Sequence, residues 1–95
     1  MSDQGNIEEE IQPLLTFPCD FPFKVMGMNT AAFENDFIVM LRKHVPDLGD
    51  VVLDKRPSRN GTYVALNITF TATSQEQLDN LYREVTAHPE TRMVL

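Results

Sequence analysis

The sequence has a single cysteine, no long apolar run and little positive charge, and each shortage removes a class of protein. Cys19 has no second thiol to join, so no intrachain disulfide forms and a reducing compartment suits the chain. Metal carriage by a cysteine pair is excluded for the same reason. A lone cysteine without an identifiable histidine and orienting group reads as inert rather than nucleophilic. No apolar stretch approaches the ~18 residues that a membrane span requires, and the acidic beginning is unlike a secretory signal. A cytoplasmic protein without membrane contact is expected. Lys and Arg number 8 against 14 Asp and Glu, so the basic surface that phosphates demand is missing and nucleic acid is not an expected partner.

The charge is also uneven. Asp3, Glu8, Glu9, Glu10 and Asp20 fall in the first 20 residues with no Lys or Arg, while the rest of the chain is close to neutral. Residues 1–13 read as a disordered acidic leader, too polar to offset the entropy of ordering. Residues 14–95 read as one small domain with one core.

Periodicity then divides the domain. Pro13, Pro18 and Pro22 keep residues 13–22 extended or edge-like. Residues 23–28, FKVMGM, form the first strand, with Phe23 and Val25 on one face and Lys24, Met26 and Met28 on the other. Gly27 interrupts it, where the backbone turns or closely approaches another group. Thr30 or Asn29 caps a helix whose stripe is Phe33, Phe37, Met40 and Leu41, spaced i, i+4, i+7, i+8. Arg42, Lys43 and His44 complement its C-terminal dipole, and Pro46 ends it at Val45.

A second strand is expected from Val51 to about Arg56. Asn60-Gly61 predicts a hairpin; a two-residue loop there sets Leu53 opposite Ile68 and Val51 opposite Phe70, and a four-residue loop, Ser58 to Gly61, keeps the same faces. Val64, Leu66, Ile68 and Phe70 then share the buried face. At Ser74 the period changes from two to 3.6. Ser74 and Gln77 have capping-box spacing, and Leu78, Leu81, Tyr82 and Val85 form one helical stripe. TRMVL ends the chain as a short strand, with Met93 and Leu95 expected toward the helices and Arg92 and Val94 on the open side. The order is that of an α+β, ferredoxin-like βαββαβ sandwich: a four-stranded antiparallel sheet with both helices on one face.

The open sheet face is expected to carry Lys24, Met26, Tyr63, Ala65, Asn67, Thr69, Val52, Asp54 and Arg56, with Arg92 and Val94. It lacks the paired stacking aromatics of an RNA-recognition sheet. The loop after the first strand has no Arg, so a phosphate cradle of the acylphosphatase type is missing as well. His44 and His88 are expected as solvated or capping groups, and the tip with Lys55, Arg56 and Arg59 as a solubilising hairpin end. No acid–base pair or nucleophile assembles, so neither an enzyme nor a cofactor is expected.

FPFKVMG at residues 21–27, SRNGTY at 58–63, ATSQEQLDNLY at 72–82 and RMVL at 92–95 together resemble the YbeD-like family of small bacterial cytoplasmic proteins with a domain of unknown function. The resemblance covers roughly residues 14–95. It implies a ferredoxin-like fold similar to ACT regulatory domains, and an association with lipoate metabolism through neighbouring genes. It carries no catalytic residues. Two readings follow. One is a regulatory or interaction module that contacts a metabolic enzyme, or a second copy of itself, through the open face or the edge of the last strand. The other is a free-standing sensor that holds an amino acid or other small carboxylate in the loop Gly27–Thr30, at the helix N-terminus. Lys24, Gly27, Met28, Asn29, Tyr63, Asn67 and Arg92 are the candidate contact residues.

Overall fold

The computed structural model describes residues 16–95; the acidic leader, residues 1–13, lies outside them. Six elements follow one another: β1 (Cys19–Met28), α1 (Ala31–His44), β2 (Asp54–Pro57), β3 (Tyr63–Ala72), α2 (Gln75–Ala87) and β4 (Thr91–Val94). The strands pair antiparallel in the order β2-β3-β1-β4. This is the ferredoxin-like βαββαβ arrangement, with β3 and β1 central.

Alternation along the central strands builds the core. Phe23 and Val25 of β1, with Val64, Leu66, Ile68 and Phe70 of β3, face the helices and are buried. Phe33, Phe37, Met40 and Leu41 of α1 and Leu78, Leu81 and Val85 of α2 close over them. Phe23 stacks on Phe37, ring centroids 5.9 Å apart, and meets Tyr82 edge-on at 5.0 Å. Burial of this kind supplies about 1.5–3 kcal/mol per large side chain, the main favourable term in so small a domain. Leu53, expected in the core, is only partly buried and packs on its margin, as does Val51.

Three expectations about the strands need correction. β1 begins at Cys19 and runs through Pro22, which pairs with Thr69. The proline is tolerated because its missing donor faces away from β3. Lys24 C=O accepts from Leu95 N–H on the β4 side, and backbone groups two residues apart point the same way. β4 pairs only with Val25–Gly27, so no ladder reaches Pro22 on that side. Gly27 does not interrupt the strand either; it is a close approach within it. A Cβ built there would lie 2.4 Å from Phe33 Cζ and 2.6 Å from the Glu90 carbonyl oxygen.

The second correction concerns β2, which starts at Asp54 rather than Val51. The expected register holds, since Asp54 pairs with Asn67 and Pro57 with Val64, continuing the frame that would set Leu53 opposite Ile68. In the connecting turn Ser58 C=O accepts from Gly61 N–H at 3.0 Å. Within this turn only Gly61 takes positive φ, at 79°, so Asn60 serves instead through its side chain, which accepts from Thr62 N–H.

The third is the face of β4. The register shifts between Met26 and Gly27: Met26 pairs with Met93, but Gly27 pairs with Thr91, which leaves Arg92 as an extra residue. Val94 therefore sits opposite Val25 and packs on the core. Met93 and Leu95, expected inside, are 49% and 55% exposed.

Both helix starts are capped by their own sequence. Thr30 Oγ1 accepts from Phe33 N–H at 3.0 Å, and Ser74 Oγ from Gln77 N–H at 3.0 Å. Gln77 returns its side-chain oxygen to Thr73 N–H at 2.8 Å, one residue before the cap. Its amide also donates to the His44 carbonyl at the end of α1, so one side chain joins the start of α2 to the end of α1.

Candidate interaction face

The open side of the sheet is built from residues whose alternation turns them away from the helices. One row crosses all four strands as Arg56, Ala65, Met26 and Met93; the next carries Asp54, Asn67 and Lys24; and Met28 pairs with Tyr63 beyond them. Ala65 at the centre is buried beneath its neighbours, whereas Tyr63 and Met93 are exposed. The result is an apolar strip of Met26, Met28, Met93 and Tyr63 bordered by Arg56, Lys24 and Asp54. Methionine is unbranched and polarisable, so such a strip can conform to different partner surfaces.

Four of the candidate contact residues, Lys24, Met28, Tyr63 and Asn67, come together on this face. The other three have structural employment. Gly27 lies beneath the Phe33 ring. Asn29 donates from its amide to the Gly61 carbonyl at 3.0 Å, and its backbone N–H donates to Thr62, so it ties the loop after β1 to the hairpin tip. Arg92 donates to the carbonyls of Pro89 and Thr91 at 3.0 and 3.3 Å. Met93 and Leu95 escaped sequence reasoning as open-face residues because the bulge at Arg92 leaves no trace in hydropathy.

A carboxylate of the chain itself lies beside the α1 N-terminus. Thr30 Oγ1 donates to Glu90 Oε1 at 2.8 Å, and Met28 N–H donates to the Glu90 carbonyl. The Glu90 charge lies where a second carboxylate would approach. Two of the three hairpin cations are also engaged: Lys55 Nζ lies 3.2 Å from Glu34, and Arg56 Nε 3.1 Å from Asp54.

The histidines are less solvated than expected, and each joins the helical layer. His44 Nε2 lies 2.6 Å from Glu84 Oε1 and His88 Nε2 2.8 Å from Asp36 Oδ2. The hydrogen bond from His44, with help from Lys43, holds the Glu84 carboxyl below its ordinary value of 4.5. Burial pushes the Tyr82 hydroxyl up; it donates to the Leu95 carbonyl at 3.3 Å. Among the described residues no group of three or more His, Cys, Asp or Glu could hold a metal ion. Nor is any helix long and apolar enough to cross a membrane.

Residues 12–95 match the family described as "Protein of unknown function (DUF493)". The chain belongs to this family. A UPF0250 protein of Chromobacterium violaceum is 43% identical over 89 residues, covering 94% of this chain and all of that one. Another, from Nitrosomonas europaea, is 40% identical over 88% of this chain and 97% of its own. Among solved structures, the solution structure of protein HP0495 from H. pylori superposes with a TM-score of 0.64 over 85% of each chain. At 12% identity that likeness concerns the fold alone. The DUF493 membership agrees with the resemblance read from the four sequence blocks.

Proposed function

We propose that this DUF493 chain is a non-catalytic regulatory or interaction module that contacts a metabolic enzyme through the open face of its sheet. The observation that carries this reading is the apolar strip on that face, above all Met93, half exposed although it lies in a strand paired to the centre of the sheet. An exposed methionine strip with a charged border has the make-up of a protein contact: an adaptable centre and a polar rim. The gene-neighbour association implied by the family resemblance makes enzymes of lipoate metabolism the first to test. Purified enzymes of that pathway, assayed one at a time by sedimentation velocity with the full chain, should include one that co-sediments. Met93→Glu should weaken that association by at least about tenfold, as loss of an anchor does. Association that is indifferent to Met93→Glu would place the contact elsewhere and overturn the reading.

A further inference from the structure

β3 is ten residues long, but β2 pairs only with its first half, Val64–Asn67. Beyond Asn67 no strand of the described residues lies on the outer side of β3. Which backbone groups face that side follows from the ladder. Ser58 N–H donates to the Tyr63 carbonyl across the hairpin, so Tyr63, Ala65, Asn67, Thr69 and Thr71 all turn their N–H and C=O away from β1. Thr69 sits opposite Pro22 in a non-hydrogen-bonded pair, so neither offers a main-chain group to the other. Among the described residues nothing on the outer side bonds to the main chain of Thr69 or Thr71. Thr73 N–H, next in the series, is taken by Gln77. Four backbone donors and acceptors are thus left in a row.

The surroundings leave room beside them. Two adjacent depressions meet at Thr69. One is floored by Val45, Leu48 and Phe70 and continues past Thr71; the other runs from Val52 and Asp54 across Asn67 on the open face toward Lys24 and Leu95. Val52, at the near end, is 82% exposed. Asp47 lines the first depression, and Asp20 pairs with Thr71 across the sheet. Neither forms an ion pair with a described residue; Lys24 lines the second depression, and Arg42 donates to the Gly49 carbonyl in the loop that carries Asp47.

We propose that the uncovered half of β3 is a strand-acceptor edge that takes an extended basic–apolar–basic segment of a partner protein. The chemistry of the site specifies each part. Four unmet main-chain groups call for an extended backbone, which adds as a further strand. In such a strand, residues opposite Thr69 and Thr71 point to the open face, where Asp20, paired with Thr71, favours Lys or Arg. The residue between them, opposite Phe70, points toward the helices onto the floor of Val45 and Leu48, and must be apolar. The proposal rests on the interaction-module reading and adds where a partner is held and by what sequence.

The test uses the full chain, isotope-labelled for NMR, and a synthetic heptapeptide of alternating Lys and Val, with a Glu–Val peptide as control. In the free protein the amides of Thr69 and Thr71 should exchange fast and those of Ile68 and Phe70 slowly. Lys–Val peptide at about ten times its Kd should slow exchange at Thr69 and Thr71 by about tenfold, and the control peptide should not. Thr71→Pro removes an outward donor without touching the β1 ladder, as Pro22 already does on β1; it should abolish the protection at an unchanged melting temperature. Should Thr71→Pro prove unfolded, Asp47→Lys is the second variant and should weaken peptide binding. The proposal is overturned if Thr69 and Thr71 are already protected in the free protein. Protection that grows with protein concentration also overturns it, since the occupant is then a second copy. So does peptide that shifts only Met26 and Met93, or none at all. If the peptide fails while a Met93-dependent enzyme association persists, only this inference falls; if both fail, the interaction reading falls with it.

Discussion

His44 on α1 and Glu84 on α2 approach to 2.6 Å, Nε2 to Oε1, and Lys43 joins the same carboxylate at 3.3 Å. With Asp36 and His88, the C-cap of α2, as the second link, histidine–carboxylate contacts tie the C-terminal part of α2 to two places along α1. The sign of the pH effect at Glu84 follows from its lowered pKa. A carboxyl whose folded value lies below its unfolded value of 4.5 contributes stability that is present above 4.5 and lost as pH falls through the folded value. Glu84 is well exposed, so the contribution is small. Urea denaturation of the parent and of Glu84→Gln should differ at about pH 5 and converge toward about pH 3. A gap that persists unchanged at the lower pH would show that Glu84 acts by packing and not by charge.

Gly27→Ala should destabilise the domain by about 1–3 kcal/mol, the range for forcing a methyl group into a packed site. The obstacles are the Phe33 ring at 2.4 Å and the Glu90 carbonyl at 2.6 Å. A ring can rotate, but the carbonyl is held, since it accepts from Met28 N–H. Denaturant titration decides it: an unchanged midpoint would mean that the backbone between α2 and β4 yields.

The register of β4 makes an opposite pair of predictions at adjacent residues. Val94→Ser should cost about 1–2 kcal/mol because it strips apolar contact from the core margin. Met93→Ser should stay within about 0.5 kcal/mol, as exposed substitutions do. Thermal melts of the two variants side by side would reverse in order if Met93, not Val94, faced the helices.

Ile68→Ala should cost ~2–5 kcal/mol. Ile68 is buried on β3 among the helix-facing side chains, and a domain of this size has few kcal/mol to lose. A melting temperature within a degree or two of the parent would contradict the packing of that face.

The amino-acid order by itself determined the elements and most of the core. Periods of two and 3.6 are local properties, and hydrophobic burial reads them directly: Phe23 and Val25 inside, the stripes of Phe33 to Leu41 and Leu78 to Val85, the caps Thr30 and Ser74, and the hairpin register around Asn60-Gly61. What those patterns could not contain was decided between elements. β2 shortens to Asp54 although Val51–Leu53 is apolar, because Val51 and Leu53 pack on the core margin without pairing with β3. Gly27 remains a strand residue because Phe33 fills the space above it. The bulge at Arg92 sends Val94 inward and Met93 outward, although composition favours neither. The candidate interaction face was legible in Lys24, Met28, Tyr63 and Asn67, which alternate along two central strands. Its remaining members, Met93 and the uncovered edge at Thr69 and Thr71, depend on how far one strand runs beside another, and strand length and bulges are set by tertiary packing rather than by the residues that display them.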